Sequence, residues 1–98
     1  MASAKIEFGR VGKNHAKGWA RFKEEAFKKY KKEALQIAKQ GYCYYINYFV
    51  DPYEICKQEV DKVIIDEEQR DIAIRIGNMF LAVKWFSNKK EAIKAAKY

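Results

Sequence analysis

Lys17, Arg21, Lys28, Lys32 and Lys39 recur at spacings of four and seven residues. At 3.6 residues per turn this spacing sets all five within about 60° of one another on a helix. Such a row of cations, about thirty ångströms long at ~1.5 Å per residue, suits a phosphate backbone, and contacts of that kind weaken steeply with salt. The same spacing also describes the solvated outer face of an ordinary amphipathic helix. Glu24 and Glu25 interrupt the row, and lysine meets phosphate with less geometric definition than arginine. Arg10 and Lys13, in the loop ahead of the helix, extend the cationic surface. The expected nucleic-acid or partner-binding residues are therefore Arg10, Lys13, Lys17, Arg21, Lys28, Lys32 and Lys39.

The other reactive side chains are poorly placed for catalysis. Asp66, Glu67, Glu68 and Asp71 form the densest acidic cluster, and grouped carboxylates can hold a metal or move protons. No EF-hand spacing accompanies them, and a polar hairpin turn is the better explanation. Cys43 and Cys56 lack a CxxC partner, and His15 stands alone, so no four-ligand zinc set exists. Gly9, Gly12 and Gly18 fit neither GxGxxG nor a phosphate loop. Ser3 and Ser87 have no nucleophile signature around them. The expectation is a protein without catalytic activity, cofactor or metal.

Tyr42, Tyr44, Tyr45, Tyr48 and Phe49 would suit base stacking if exposed on a sheet. No Lys or Arg lies between Tyr42 and Val50, however, and RNP-type patterns interleave basic and glycine residues with the rings. Core packing with hydroxyls at the rim is the better explanation of the stretch.

These residues need a scaffold, and composition supplies one. The 98 residues are 49% hydrophobic, 15% aromatic and 34% charged, which suits one small folded domain spanning 1–98. Residues 1–41 hold eleven Lys and Arg against four Glu, and residues 42–98 hold nine against nine acids. The whole net charge of +7 thus belongs to the first part. No apolar run approaches the ~18 residues of a membrane span, and the first ten residues lack the apolar stretch of a secretory leader. The expectation is a cytoplasmic protein that does not enter membranes.

The predicted order is β-α-β-α-β-β-β-α, an α+β fold in which a long N-terminal amphipathic helix packs on one mainly antiparallel sheet of four or five strands. Lys5–Val11 alternates weakly as an edge strand. Asn14 would cap a helix over Ala16–Gln40 whose core-facing stripe holds Trp19, Phe22, Ala26, Phe27, Tyr30, Ala34 and Ile37, and Gly41 would end it. Gly18 allows a start one turn later. Tyr42–Val50 reads as a central strand. Asp51-Pro52-Tyr53-Glu54 carries the signals of a helix start, predicting a short helix to Gln58.

Val60–Ile65 returns to strand character, Asp66–Gln69 turns, and Asp71–Ile76 alternates. Gly77-Asn78 then predicts a two-residue hairpin pairing Ile76 with Met79, Ile74 with Leu81 and Ile72 with Val83. The strand ends at Phe86, and Asn88 with Glu91 forms a capping box for the last helix.

Function follows from charge placement. The favoured expectation is a small binding module that contacts a nucleic-acid backbone through the lysine face. The alternative is a small protein-binding inhibitor or adaptor, of the kind viruses and mobile elements direct at host nucleic-acid-handling proteins, docking on an acidic surface. An exposed edge near Ile6 or an aromatic surface around Tyr45 would support a homodimer.

Overall fold

Backbone pairing, more than local propensity, decides the middle of this chain. The computed structural model describes residues 3–11, 23–77, 79–81 and 84–96. Its elements are β1 (Lys5–Phe8), α1 (Glu24–Gln40), β2 (Tyr42–Asn47), β3 (Glu54–Glu59), β4 (Lys62–Asp66), β5 (Asp71–Ile76), β6 (Met79–Leu81), β7 (Trp85–Phe86) and α2 (Lys89–Ala96). They form an α+β fold with two sheets in place of the single sheet predicted. One is four-stranded in the order β1-β4-β5-β6, the other three-stranded in the order β3-β2-β7. β1 runs parallel to β4, and every other pairing is antiparallel.

The predicted second helix is a strand. Glu54–Glu59 pairs along its whole length with β2, from Asn47 opposite Glu54 to Tyr42 opposite Glu59. The helix-start signals at Asp51–Glu54 span only four residues, whereas the ladder satisfies the backbone over six, so pairing wins. The Asp51–Pro52 bond is cis, and residues 48–53 form the tip of the resulting hairpin.

The first helix is shorter than the periodicity implies. Lys23 is extended at φ −65° and ψ 156°, and the helix begins at Glu24. The expected Asn14 cap and residues 16–22 lie outside the described residues. From Glu24 the stripe is met in part: Phe27, Ala34 and Ile37 are buried, with Ala38 beside them, while Ala26 and Tyr30 are half-buried. Gly41 ends the helix in the left-handed region at φ 85°, and its N–H donates to the Ile37 carbonyl.

The Gly77 turn also behaves as read. Gly77 has φ +57°, and Ile76 and Ile74 face Met79 and Leu81 in the expected register. The third predicted pair, Ile72 with Val83, falls outside the described residues. The run to Phe86 is not one strand, however, since Lys84 turns at φ 64° and Trp85-Phe86 joins β2 in the other sheet. At α2, the Glu91 N–H donates to Asn88 Oδ1 at 2.9 Å, as an N-cap should.

One apolar cluster draws on both sheets. It gathers Phe27, Ala34, Ile37 and Ala38 of α1, Cys43 of β2, Val63 and Ile65 of β4, Ile72, Ile74 and Ile76 of β5, and Trp85 of β7. Trp85 meets Tyr30 edge to face, with centroids 5.8 Å apart at 78°. Beyond this cluster, Gln40 Nε2 donates to the carbonyls of Tyr42 and Ser87, both at 2.8 Å, tying the end of α1 to the approach to α2.

Candidate binding surfaces

Burial of one side of α1 dictates what its other side presents. With Phe27, Ala34, Ile37 and Ala38 facing inward, Lys28, Lys32 and Lys39 share the exposed side. Consecutive members lie about 6 Å and about 10 Å apart along the axis. A shallow groove of about 450 Å³ runs along this side, lined by Lys29, Lys32, Glu33, Leu35, Gln36 and Lys39. Among the described residues, Lys28, Lys32 and Lys39 make no ion pair.

The neighbouring charges on α1 are engaged elsewhere. Glu33 Oε1 accepts a hydrogen bond from the Ser87 N–H at 2.6 Å, which draws that carboxylate toward α2. Lys31 pairs with Glu67 across the fold, and its ammonium stands 5.9 Å from the Phe8 ring centroid. The lysine face thus keeps its positive charge while the flanking residues bind the helix to the body.

Arg10 is exposed just past β1. Lys13, Lys17 and Arg21 lie outside the described residues. The extended backbone at Lys23 means that α1 does not run on to them as one continuous row, so the helical face spans Lys28 to Lys39.

The acidic cluster is a turn. Asp66 is 5% exposed, and its Oδ1 accepts from the Gln69 N–H at 2.9 Å, closing the connection between β4 and β5. Glu67 reaches back to Lys31. Among the described residues, no three His, Cys, Asp or Glu side chains come together as metal ligands. No described helix is long and apolar enough to cross a membrane.

The tyrosine strand divides between packing and exposure. β2 ends at Asn47, three residues earlier than expected, and is the centre of its sheet. Tyr42, Tyr44 and Tyr45 are half-buried. Tyr42 meets Tyr44 edge to face at 5.8 Å, and Lys57 of β3 places its ammonium 4.2 Å from the Tyr42 centroid. Beyond the strand, Tyr48, Phe49 and Val50 stand out at the hairpin tip, with Phe49 fully exposed. The Phe49 N–H donates to Asn47 Oδ1 at 3.0 Å, which orients the tip, and Lys84 stands 5.8 Å from the Tyr48 ring centroid. The aromatic and β-branched run by itself predicts a strand through Val50. The available signal was an apolar triplet directly before Asp-Pro.

Protein-family models, curated proteins and solved structures were all compared with the chain, and none matches.

The two thiols differ sharply. Cys43 is fully buried, and burial pushes its thiol up to about 12. Cys56 is half-buried opposite Tyr45, whose hydroxyl is pushed up first by burial and then by hydrogen bonding to Cys56. Alkylation of the native protein near pH 8, read by intact mass, is expected to add one label, on Cys56, with Cys43 reacting only after denaturation. The folded state retains the Cys43 proton more tightly than the unfolded chain does. The unfolded thiol ionises first, so this contribution to stability is lost as pH rises from 9.0 to about 12.

Proposed function

We propose that the protein is a non-catalytic binding module whose α1 face contacts the phosphate backbone of a nucleic acid. One observation carries this reading: Lys28, Lys32 and Lys39 share the exposed side of a rigid helix with no carboxylate partner among the described residues. A cationic helix face of this kind attracts polyanions without reading sequence, because phosphates position a protein and bases specify it. Arg10 adds to the same charge, as do Lys13, Lys17 and Arg21. Unpaired thiols at Cys43 and Cys56 suit a reducing compartment such as the cytoplasm.

Fluorescence anisotropy with duplex and single-stranded DNA and RNA tests this directly. Sequence-tolerant binding that weakens with salt is expected, and no binding at about 50 mM salt overturns the proposal.

The hairpin tip favours a second reading, a small protein-binding adaptor or inhibitor of viral or mobile-element type. Tyr48, Phe49 and Val50 are 55%, 101% and 42% exposed in sequence, and exposed aromatics anchor protein interfaces. A partner whose binding is lost in Phe49→Ser and kept in the lysine variants supports this second reading.

A further inference from the structure

We propose that β1 is a self-pairing edge, through which two copies of this chain join antiparallel about a two-fold axis at Ile6. The strand's hydrogen bonds show which backbone groups are available. The Lys5 and Gly9 N–H groups donate to the Asp61 and Ile65 carbonyls of the β4 side, at 3.2 and 3.0 Å. Backbone groups alternate in direction along a strand, so those of Ile6 and Phe8 point away from β4, where no described strand lies, whereas the Ala4 N–H is already held by the Ala38 carbonyl of α1 at 2.7 Å.

The side chains divide in the same rhythm. Ile6 and Phe8 are in register with the core residues Val63 and Ile65, on the face covered by α1, yet they remain 41% and 60% exposed. Lys5 and Glu7 occupy the opposite face, where Glu7 reaches Lys62 at 3.4 Å. The edge therefore offers hydrogen-bonding groups, an apolar row on one face and one charge of each sign on the other.

The sequence Ala4-Lys5-Ile6-Glu7-Phe8 is complementary to itself when reversed. With Ile6 opposite Ile6 of the second copy, the outward backbone groups of the two isoleucines meet as a hydrogen-bonded pair. Lys5 of each copy then faces Glu7 of the other, and Phe8 faces Ala4, which can accept from the Phe8 N–H but donates nothing across the seam because its own N–H stays on the Ala38 carbonyl. Opposite charges across a strand pair favour association, whereas a shift that centred the axis on Glu7 would set two carboxylates against each other. This self-complementarity selects a second copy over an unrelated strand. Joining two edges would also remove the exposed strand that β1 otherwise leaves open, and the two-fold axis would carry both α1 helices on the same side of an eight-stranded sheet.

A contact between strands of four residues is small beside the ~1,600 Å² of a standard interface, so the dimer is expected to be weak and concentration-dependent. Sedimentation velocity from about 10 to about 500 µM should show the mass rising toward twice that of the monomer. Ile6→Pro is expected to remain monomeric with unchanged circular dichroism and Tm, because the amide it removes points out of the sheet. Lys5→Glu and Glu7→Lys should each stay monomeric alone, through like-charge opposition, and associate when mixed in equal amounts. Should Ile6→Pro fail to fold, the mixing experiment decides alone. A wild-type monomer at about 500 µM, a dimer unaffected by Ile6→Pro, or a mixture no heavier than its components would each overturn the proposal.

Discussion

Trp85→Ala is expected to destabilise the fold by about 3–5 kcal/mol, a large part of the ~5–15 kcal/mol that a chain of this size has in total. The residue is 2% exposed and is the largest fully buried side chain among the described residues. It belongs to a strand of only two residues, which pairs with β2 through Tyr45 opposite Trp85. Its ring meets Tyr30 of α1, so one side chain holds the helix to the three-stranded sheet. Truncation leaves a cavity that rigid neighbours on two elements cannot collapse into. Trp85→Phe is expected to cost far less. The indole Nε1 is buried with no hydrogen-bond partner among the described residues, and phenylalanine removes that desolvated donor while retaining most of the apolar surface. Urea unfolding followed by circular dichroism distinguishes the two variants, and equal losses would show that ring packing is not the source of the stability.

The second large effect concerns binding. Combined Lys28→Gln, Lys32→Gln and Lys39→Gln should reduce the slope of log affinity against log salt by about 2–3, since each lysine on a duplex phosphate contributes roughly 0.9. Replacing all three with glutamate should weaken binding by a hundredfold or more at about 50 mM salt, because repulsion is added to the lost contacts. Stability should change little, as all three side chains are exposed, and removing the like charges four residues apart at Lys28 and Lys32 relieves a small repulsion. Phe49→Ser should leave this affinity unaltered. An unchanged salt slope in the glutamine variant would remove the α1 face from the binding site.

Where the decisive physics is local, the sequence is readable. The Asn88 cap, the left-handed Gly41 and the Ile76–Met79 hairpin each depend on a few adjacent residues, and each forms as expected. The lysine face from Lys28 to Lys39 is equally legible, because helical periodicity alone places it. β3 was not legible. Asp51 to Glu54 carries good helix-start signals, and only the neighbouring β2 ladder makes the segment a strand. The division into two sheets was hidden for a similar reason, since Trp85-Phe86 continues an apolar run but pairs with Tyr45 and Tyr44, far away in the chain. The exposed tip is not legible either, because Tyr48, Phe49 and Val50 are apolar by composition and only the end of the ladder at Asn47 exposes them.

The parallel pairing of β1 with β4 bears on the order in which the molecule assembles. β2 meets β3 across a short tip, and β4 meets β5 across one turn, so both hairpins close small loops. Lys5 must find Lys62 with α1 and the whole β2–β3 hairpin strung between them. Closing a loop costs about 0.6 kcal/mol more for each doubling of its length, and long-range contacts slow folding accordingly. β1 is therefore expected to dock after the hairpins and to leave before them. Its amides should exchange with solvent sooner than those of β4 and β5, through a local opening that spares the rest of the core.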